Sequence, residues 1–199
     1  MEPNRVPEAE LGNLALDFLY TLRGTRRGVV DLLSTPRDLL EWLDRCDEAG
    51  ANRRLEGRVS VPEARSLFDE ALRLRTDIGA LVVARATRAQ TPALALYGLN
   101  RTLAAGRWLW RLTPEPSGSI VLTAHEADTA PLAHLGPIAL AAARLVTTVD
   151  ASRLRHCAAP GCGAWFLDTS KGGRRRWCSM ARCGNREKAA THRGKRRAS

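Results

Sequence analysis

Four of the five cysteines stand in two close pairs, Cys157-x4-Cys162 and Cys178-x4-Cys183, with 15 residues between the pairs. Two such pairs on a short insert are how one chain folds back to bring four thiolates around a single tetrahedral ion. Four thiolates suit zinc, a borderline-soft ion with no geometric preference of its own. A four-cysteine set leaves no open position for water or substrate, so the expectation is one structural Zn2+ and not a catalytic metal. A disulfide pair is one competing reading, which a reducing cytoplasm disfavours. An iron–sulfur cluster is another, which four cysteines also permit. His156 and His192 offer imidazoles as substitute ligands, with contact to solvent or phosphate as the plainer role of each.

The charge follows the cysteines. Residues 1–170 hold 20 basic and 20 acidic side chains, whereas residues 171–199 hold 11 basic side chains and one acid, Glu187, so the whole net charge of +10 sits at the C-terminal end. Such a block is the footprint of a surface that meets a polyanion. The plain alternative is a solubilising basic tail. Interleaving with the metal ligands argues against a tail. Arg174, Arg175 and Arg176 come just before Cys178, and Arg182, Arg186, Lys188 and Arg193 fall within or beside a helix expected from Ser179 to about His192. On a regular helix Arg182, Arg186 and Arg193, at offsets of zero, four and eleven, share a face. Lys195, Arg196 and Arg197 extend past it. An arginine fork binds phosphate or reads guanine in a major groove, and Asn185 could pair with adenine there or simply cap a turn. For each arginine phosphate is the more common contact.

These residues need elements to hold them. Ala158 to Gly161 form a tight knuckle inside the first cysteine pair. The insert suggests a hairpin of Ala164 to Leu167, a turn at Ser170 to Gly173 and a return through Arg175 to Trp177. Trp165, Phe166 and Trp177 supply a small core, and a unit this size depends on its metal. Upstream, the sequence reads mostly as helix. An apolar run covers Asn13 to Leu22. Thr35-Pro36-Arg37-Asp38 starts a second helix that Gly50 can end. Ser60 to Glu63 has capping-box spacing and opens a long helix to about Arg88. Thr91-Pro92 opens another to about Ala105, and a last one runs from Ala130-Pro131 or Gly136-Pro137 to about Asp150. Trp108 to Leu112 and Ser119 to Thr123, joined by turn residues, read as a β-hairpin. The fold class is therefore α+β, with a mainly helical N-terminal domain carrying a small hairpin (residues 1–150) and a small zinc-finger domain of knuckle, hairpin and C-terminal helix (residues 151–199).

A neutral helical domain joined to a basic finger suggests sensing of a small-molecule effector, homodimerisation, or both. Trp108, Trp110 and Tyr97 either line a pocket or, more simply, pack in a core. Cys46 lies on an apolar stripe and reads as a buried thiol before a redox sensor. His125 and His134 join no acid–base or nucleophile arrangement, and no phosphate loop or nucleophile elbow is present, so an enzyme is not expected. No apolar run approaches a membrane span, and the first ten residues lack the layout of a secretory signal. The expected location is the cytoplasm. Three lysines against 28 arginines suggest a GC-rich bacterial genome.

The run Cys178-Ser179-Met180-Ala181-Arg182-Cys183-Gly184-Asn185-Arg186-Glu187-Lys188-Ala189, followed by His192-Arg193, resembles the CGNR zinc finger, named for the tetrapeptide at Cys183 to Arg186. Arg155-His156-Cys157 and the tryptophan before Cys178 also fit. Asn13 to Phe18 and Leu39 to Leu43 are similar to the ABATE-type domain usually joined to that finger. The resemblance implies a bacterial, stress-linked transcription regulator that contacts double-stranded DNA through its finger, at the nucleoid. RNA binding, with ribosome association, is the alternative if Trp165 and Trp177 are exposed for stacking. A protein-interaction adaptor is the third reading.

Overall fold

The structure is a computed structural model that describes residues 11–25, 27–46, 55, 59–105, 108–114, 120–126 and 131–190, with the backbone alone described at 108–114 and 120–126. Helix starts follow local chemistry. Asn13 accepts from the Ala15 N–H at 2.8 Å and opens α1 (Leu14–Leu19), while its amide donates to the Ala141 carbonyl at 3.4 Å. An antiparallel hairpin follows, β1 (Leu22–Thr25) and β2 (Gly28–Asp31). No periodicity in the sequence marks it, because the strands are four residues each and their large apolar side chains, Leu22, Val29 and Val30, are all exposed.

The next start is the expected one. Asp38 accepts from the Ser34 and Thr35 N–H groups at 3.0 and 2.8 Å and opens α2 (Pro36–Cys46), whose inner face buries Leu39, Leu40, Trp42 and Leu43. Cys46, at its end, is half-buried, and the stop expected at Gly50 lies outside the described residues. Glu63 reaches back to accept from Ser60 N and Oγ at 2.9 and 2.6 Å, opening α3 (Val61–Thr87). This helix is the axis of the domain. Leu67, Ala71, Leu74, Ile78 and Val82 are buried along it, and it packs on α1, α2, α4 (Ala93–Ala105) and α5 (Gly136–Thr148). Both candidate starts of the last helix are used: a short 3-10 helix over Pro131–Leu135 leads directly into α5.

The second expected hairpin forms between β3 (Trp108–Pro114) and β4 (Ile120–Glu126). The side chains of Trp108, Trp110 and His125 lie outside the described residues. Tyr97 departs from the core reading: it is 71% exposed near the start of α4, because the apolar run there points Ala95 and Leu99 inward and turns Leu94 and Tyr97 out.

Past Asp150, which caps a 3-10 turn over Ala151–Arg153, two short strands pair antiparallel: β5 (Leu154–His156) and β6 (Trp165–Leu167). This corrects the expected hairpin. The partner of 165–167 is the upstream strand and not 175–177: Leu154 pairs with Leu167 and His156 with Trp165, which makes the first cysteine knuckle the hairpin loop and leaves Leu154 and Phe166 buried on opposite faces. The return segment is tied to the knuckle by a backbone hydrogen bond, Ala158 N–H to the Arg176 carbonyl at 2.9 Å. The C-terminal helix is also altered. It begins as a π-helical turn, Met180–Gly184, capped by Ser179, and becomes α-helical over 185–190. Arg182 lies within the π turn and Arg186 in the α-helical part that follows; Arg193 lies outside the described residues.

One continuous apolar core runs from Leu11 through the helices to Phe166 and the four cysteines. The finger is stitched to the helical part by the Leu167 N–H, which donates to the Leu11 carbonyl at 2.9 Å.

Candidate metal centre and its basic surround

Backbone bonds shape both halves of the site. Cys157 N–H donates to Ala164 O at 2.8 Å and Cys162 N–H to Ala159 O at 3.1 Å, which closes the knuckle. The second half arrives through Cys178, whose N–H points at Cys157 Sγ at 3.4 Å, and the π turn then swings Cys183 inward. The four sulfurs lie within 4.8 Å of one another and all four residues are buried. Cys162 to Cys178, Cys178 to Cys183 and Cys162 to Cys183 measure 3.6, 3.7 and 3.6 Å. A zinc ion at its usual distance of about 2.3 Å from sulfur requires tetrahedron edges of about 3.8 Å. A disulfide requires about 2.05 Å, and all five cysteines are free.

The protonation of the cluster makes the same point. Hydrogen bonding from Cys178 draws the Cys162 thiol down to about 5, against the cost of burial. The same bond, with burial, pushes Cys178 up, and burial with the Cys162 charge pushes Cys183 up to about 12. Four buried thiolates need a dication to offset their charge, so metal binding releases protons. His156 is exposed and edge-on to Trp165 at 5.3 Å, outside the sulfur cluster; His192 lies outside the described residues.

A family model described as "Putative stress-induced transcription regulator", ABATE, matches residues 12–149, more than half of the chain. The chain belongs to the ABATE family. A second model, the CGNR zinc finger, matches residues 153–196. No curated protein matches the chain. The four cysteines of this ABATE protein's CGNR finger fit one structural zinc, both in ligand type and in spacing.

The CGNR letters have distinct jobs. Cys183 is a ligand. A Cβ on Gly184 would lie 2.5 Å from Sδ of the exposed, flexible Met180 and 3.3 Å from the Trp177 ring, so the glycine lets Met180 and Trp177 pack closely over the turn. Arg186 directs a guanidinium nitrogen at Cys183 Sγ, 3.7 Å away, where it offsets the −2 charge that four thiolates leave around a zinc ion. Asn185 alone is exposed, and its side chain makes no hydrogen bond among the described residues.

The arginines of the ABATE protein's finger divide in the same way. Arg175 is internal: it lies over Phe166 at 4.9 Å and donates to the carbonyls of Trp177, at 2.9 Å, and of Cys178. Arg182 lies 4.9 Å over the ring of Tyr20, in the helical domain. Arg174, Arg176 and Lys188 are exposed, Arg176 lying over Trp177 at 5.2 Å. Lys195, Arg196 and Arg197, like Arg193, lie outside the described residues.

Sequence reasoning passed over Asp168, which organises the loop bearing these cations. It is buried and accepts from Ser170 N and Oγ at 3.0 and 2.5 Å and from Arg175 N at 2.8 Å. Burial opposes its ionisation, but these donors and Arg153 outweigh it and hold the carboxyl below its usual range. The signal was Asp168-Thr169-Ser170 ahead of two glycines, an Asx-turn pattern. In the helical domain, a cleft of about 420 Å³ opens between α3, α4 and α5, lined by Leu81, Arg85, Arg88, Leu96 and Val146 among others, and without Tyr97.

Proposed function

We propose that this protein is a DNA-binding transcription regulator in which a structural zinc holds a cationic surface for duplex DNA. The observation that carries the reading is the division of labour in the finger. Arg175, Arg182 and Arg186 brace the fold, which leaves Arg174, Arg176, Lys188 and Asn185 exposed around one metal-fixed frame. Cations held this way contact phosphates, and the free amide of Asn185 suits an adenine edge. Trp165 and Trp177 are half-buried and packed against the core, so neither provides the open stacking platform that single-stranded RNA needs. The reading assigns no catalysis, since a closed thiolate set offers no site for substrate. It carries with it a cytoplasmic, nucleoid-associated location; among the described residues, no helix is long and apolar enough to cross a membrane.

The test is duplex binding by the zinc-loaded full chain across a salt series. Binding should weaken steeply as salt rises, and Arg174→Ala with Arg176→Ala should lower both affinity and salt slope. No binding to duplex DNA at low salt would overturn the reading.

A further inference from the structure

The zero charge of the first 170 residues is an average that hides a local excess. Between Asp17 and Asp31 the chain carries Arg23, Arg26 and Arg27 and no acid. Arg23 and Arg27 belong to the β1–β2 hairpin, and the structure sets that hairpin against the finger in two ways. A Cβ on Gly24 would lie 2.4 Å from the carbonyl oxygen of Gly161, so β1 rests directly on the zinc knuckle. The Tyr20 ring takes two guanidinium groups, Arg23 at 5.6 Å and Arg182 at 4.9 Å, the first from the hairpin and the second from the finger. The acid at the hairpin's base does not cancel this charge. Asp31 is held bidentately by Arg75 of α3, at 2.7 and 2.6 Å, and Arg75 also donates to Thr21 Oγ1 at 2.8 Å.

Thr25 pairs with Gly28, which closes the hairpin in a short turn. Arg27 is exposed, its N–H bonded to Thr25 Oγ1 at 3.2 Å.

We propose that the β1–β2 hairpin of the helical domain is a second DNA-contacting element, placing Arg23 and Arg27 on phosphates beside those bound by the finger. This rests on the duplex-DNA reading above. The hairpin extends the finger's footprint with cations that the family-typical zinc motif does not contain, and the knuckle contact at Gly24 fixes the spacing between the two.

The experiment measures duplex affinity against salt for the zinc-loaded full chain and four variants: Arg27→Ala, Arg27→Glu, Arg23→Ala with Arg27→Ala, and Arg65→Glu as a charge-matched control on exposed α3. Zinc content and thermal melting verify each fold. Removing one phosphate-bound cation should lower the salt slope by about 1. Arg27→Ala should weaken binding severalfold, and Arg27→Glu more, with melting unchanged because the tip is solvated. Arg65→Glu should leave the slope as in the wild type. If Arg27→Glu does no more than Arg65→Glu while the Arg174/Arg176 variant still loses binding, the hairpin inference is overturned and the finger reading stands. If the wild type does not bind duplex DNA, both fall.

Discussion

At the residue scale, the finger's signature divides into metal, space and charge. Cys178→Ser should release the zinc and melt the finger, since structural zinc contributes on the order of 10–16 kcal/mol of apparent binding energy. Metal content per chain checks this, and a variant retaining one zinc with a native melt would contradict the four-thiolate site. Arg186 tests a subtler point. Its guanidinium faces Cys183 Sγ, so Arg186→Ala should lower zinc affinity about tenfold, as loss of a partner to a ligand does elsewhere. Competition with a chromophoric chelator measures it; unchanged affinity would free Arg186 for DNA. Asn185→Ala should leave zinc affinity alone.

At the element scale, the hairpin β1–β2 hangs on Arg75, which is itself buried. Burial raises the cost of charge on Asp31, but the bonds from Arg75 and the Leu33 N–H prevail and hold its carboxyl below the usual value. A carboxyl lowered on folding stabilises fully at pH above its unfolded value of about 3.9 and loses that contribution as pH falls through the lower folded value. Asp31→Asn should therefore cost about 1–3 kcal/mol near neutrality, discounted towards the low end because the side chain is one-third exposed to water. The gap between wild type and variant should shrink below pH 4. Denaturant melts of both chains, compared at each pH, separate this effect from acid release of zinc; a gap independent of pH would show that the pair does not form. The helices around this hairpin were legible from their starts, because Asn13, Asp38 and Glu63 act within four residues of where they stand. The hairpin was not, because a long-range ion pair and not an apolar stripe holds it.

At the scale of the whole molecule, the core passes from α1 through Phe166 to the sulfurs without a break. Zinc should then support more than the finger. Chelation should raise amide exchange in α1 and at the Leu11–Leu167 bond as well as in 154–190, and exchange measured by mass spectrometry should show both rising together. Protection of α1 that persists after zinc loss would mean the helical part stands independently. Gly24→Ala probes the same contact from the other side. Its Cβ meets the backbone of Gly161, which cannot swing aside as a side chain can, so the melting temperature should drop by an amount matching overpacking of about 1–3 kcal/mol.

The sequence by itself determined the ligand set, the helix starts and the location of the charge, because each depends on residue type and short spacing. Four thiols at x4 intervals carry their chemistry wherever the chain takes them, and a cap acts on the next turn. Only the tertiary structure decided how the cations divide between frame and surface. Arg175, Arg182 and Arg186 look like Arg174 and Arg176 in the sequence. They differ because the fold brings the rings of Phe166 and Tyr20 over Arg175 and Arg182 and turns Arg186 onto the Cys183 sulfur, whereas Arg174 and Arg176 stay exposed. The same holds for β6, which pairs with β5 and not with the return segment, and for the β1–β2 hairpin, which meets the zinc knuckle across more than 130 residues of chain. Contacts at that separation leave no periodic trace along the sequence, and packing alone selects them.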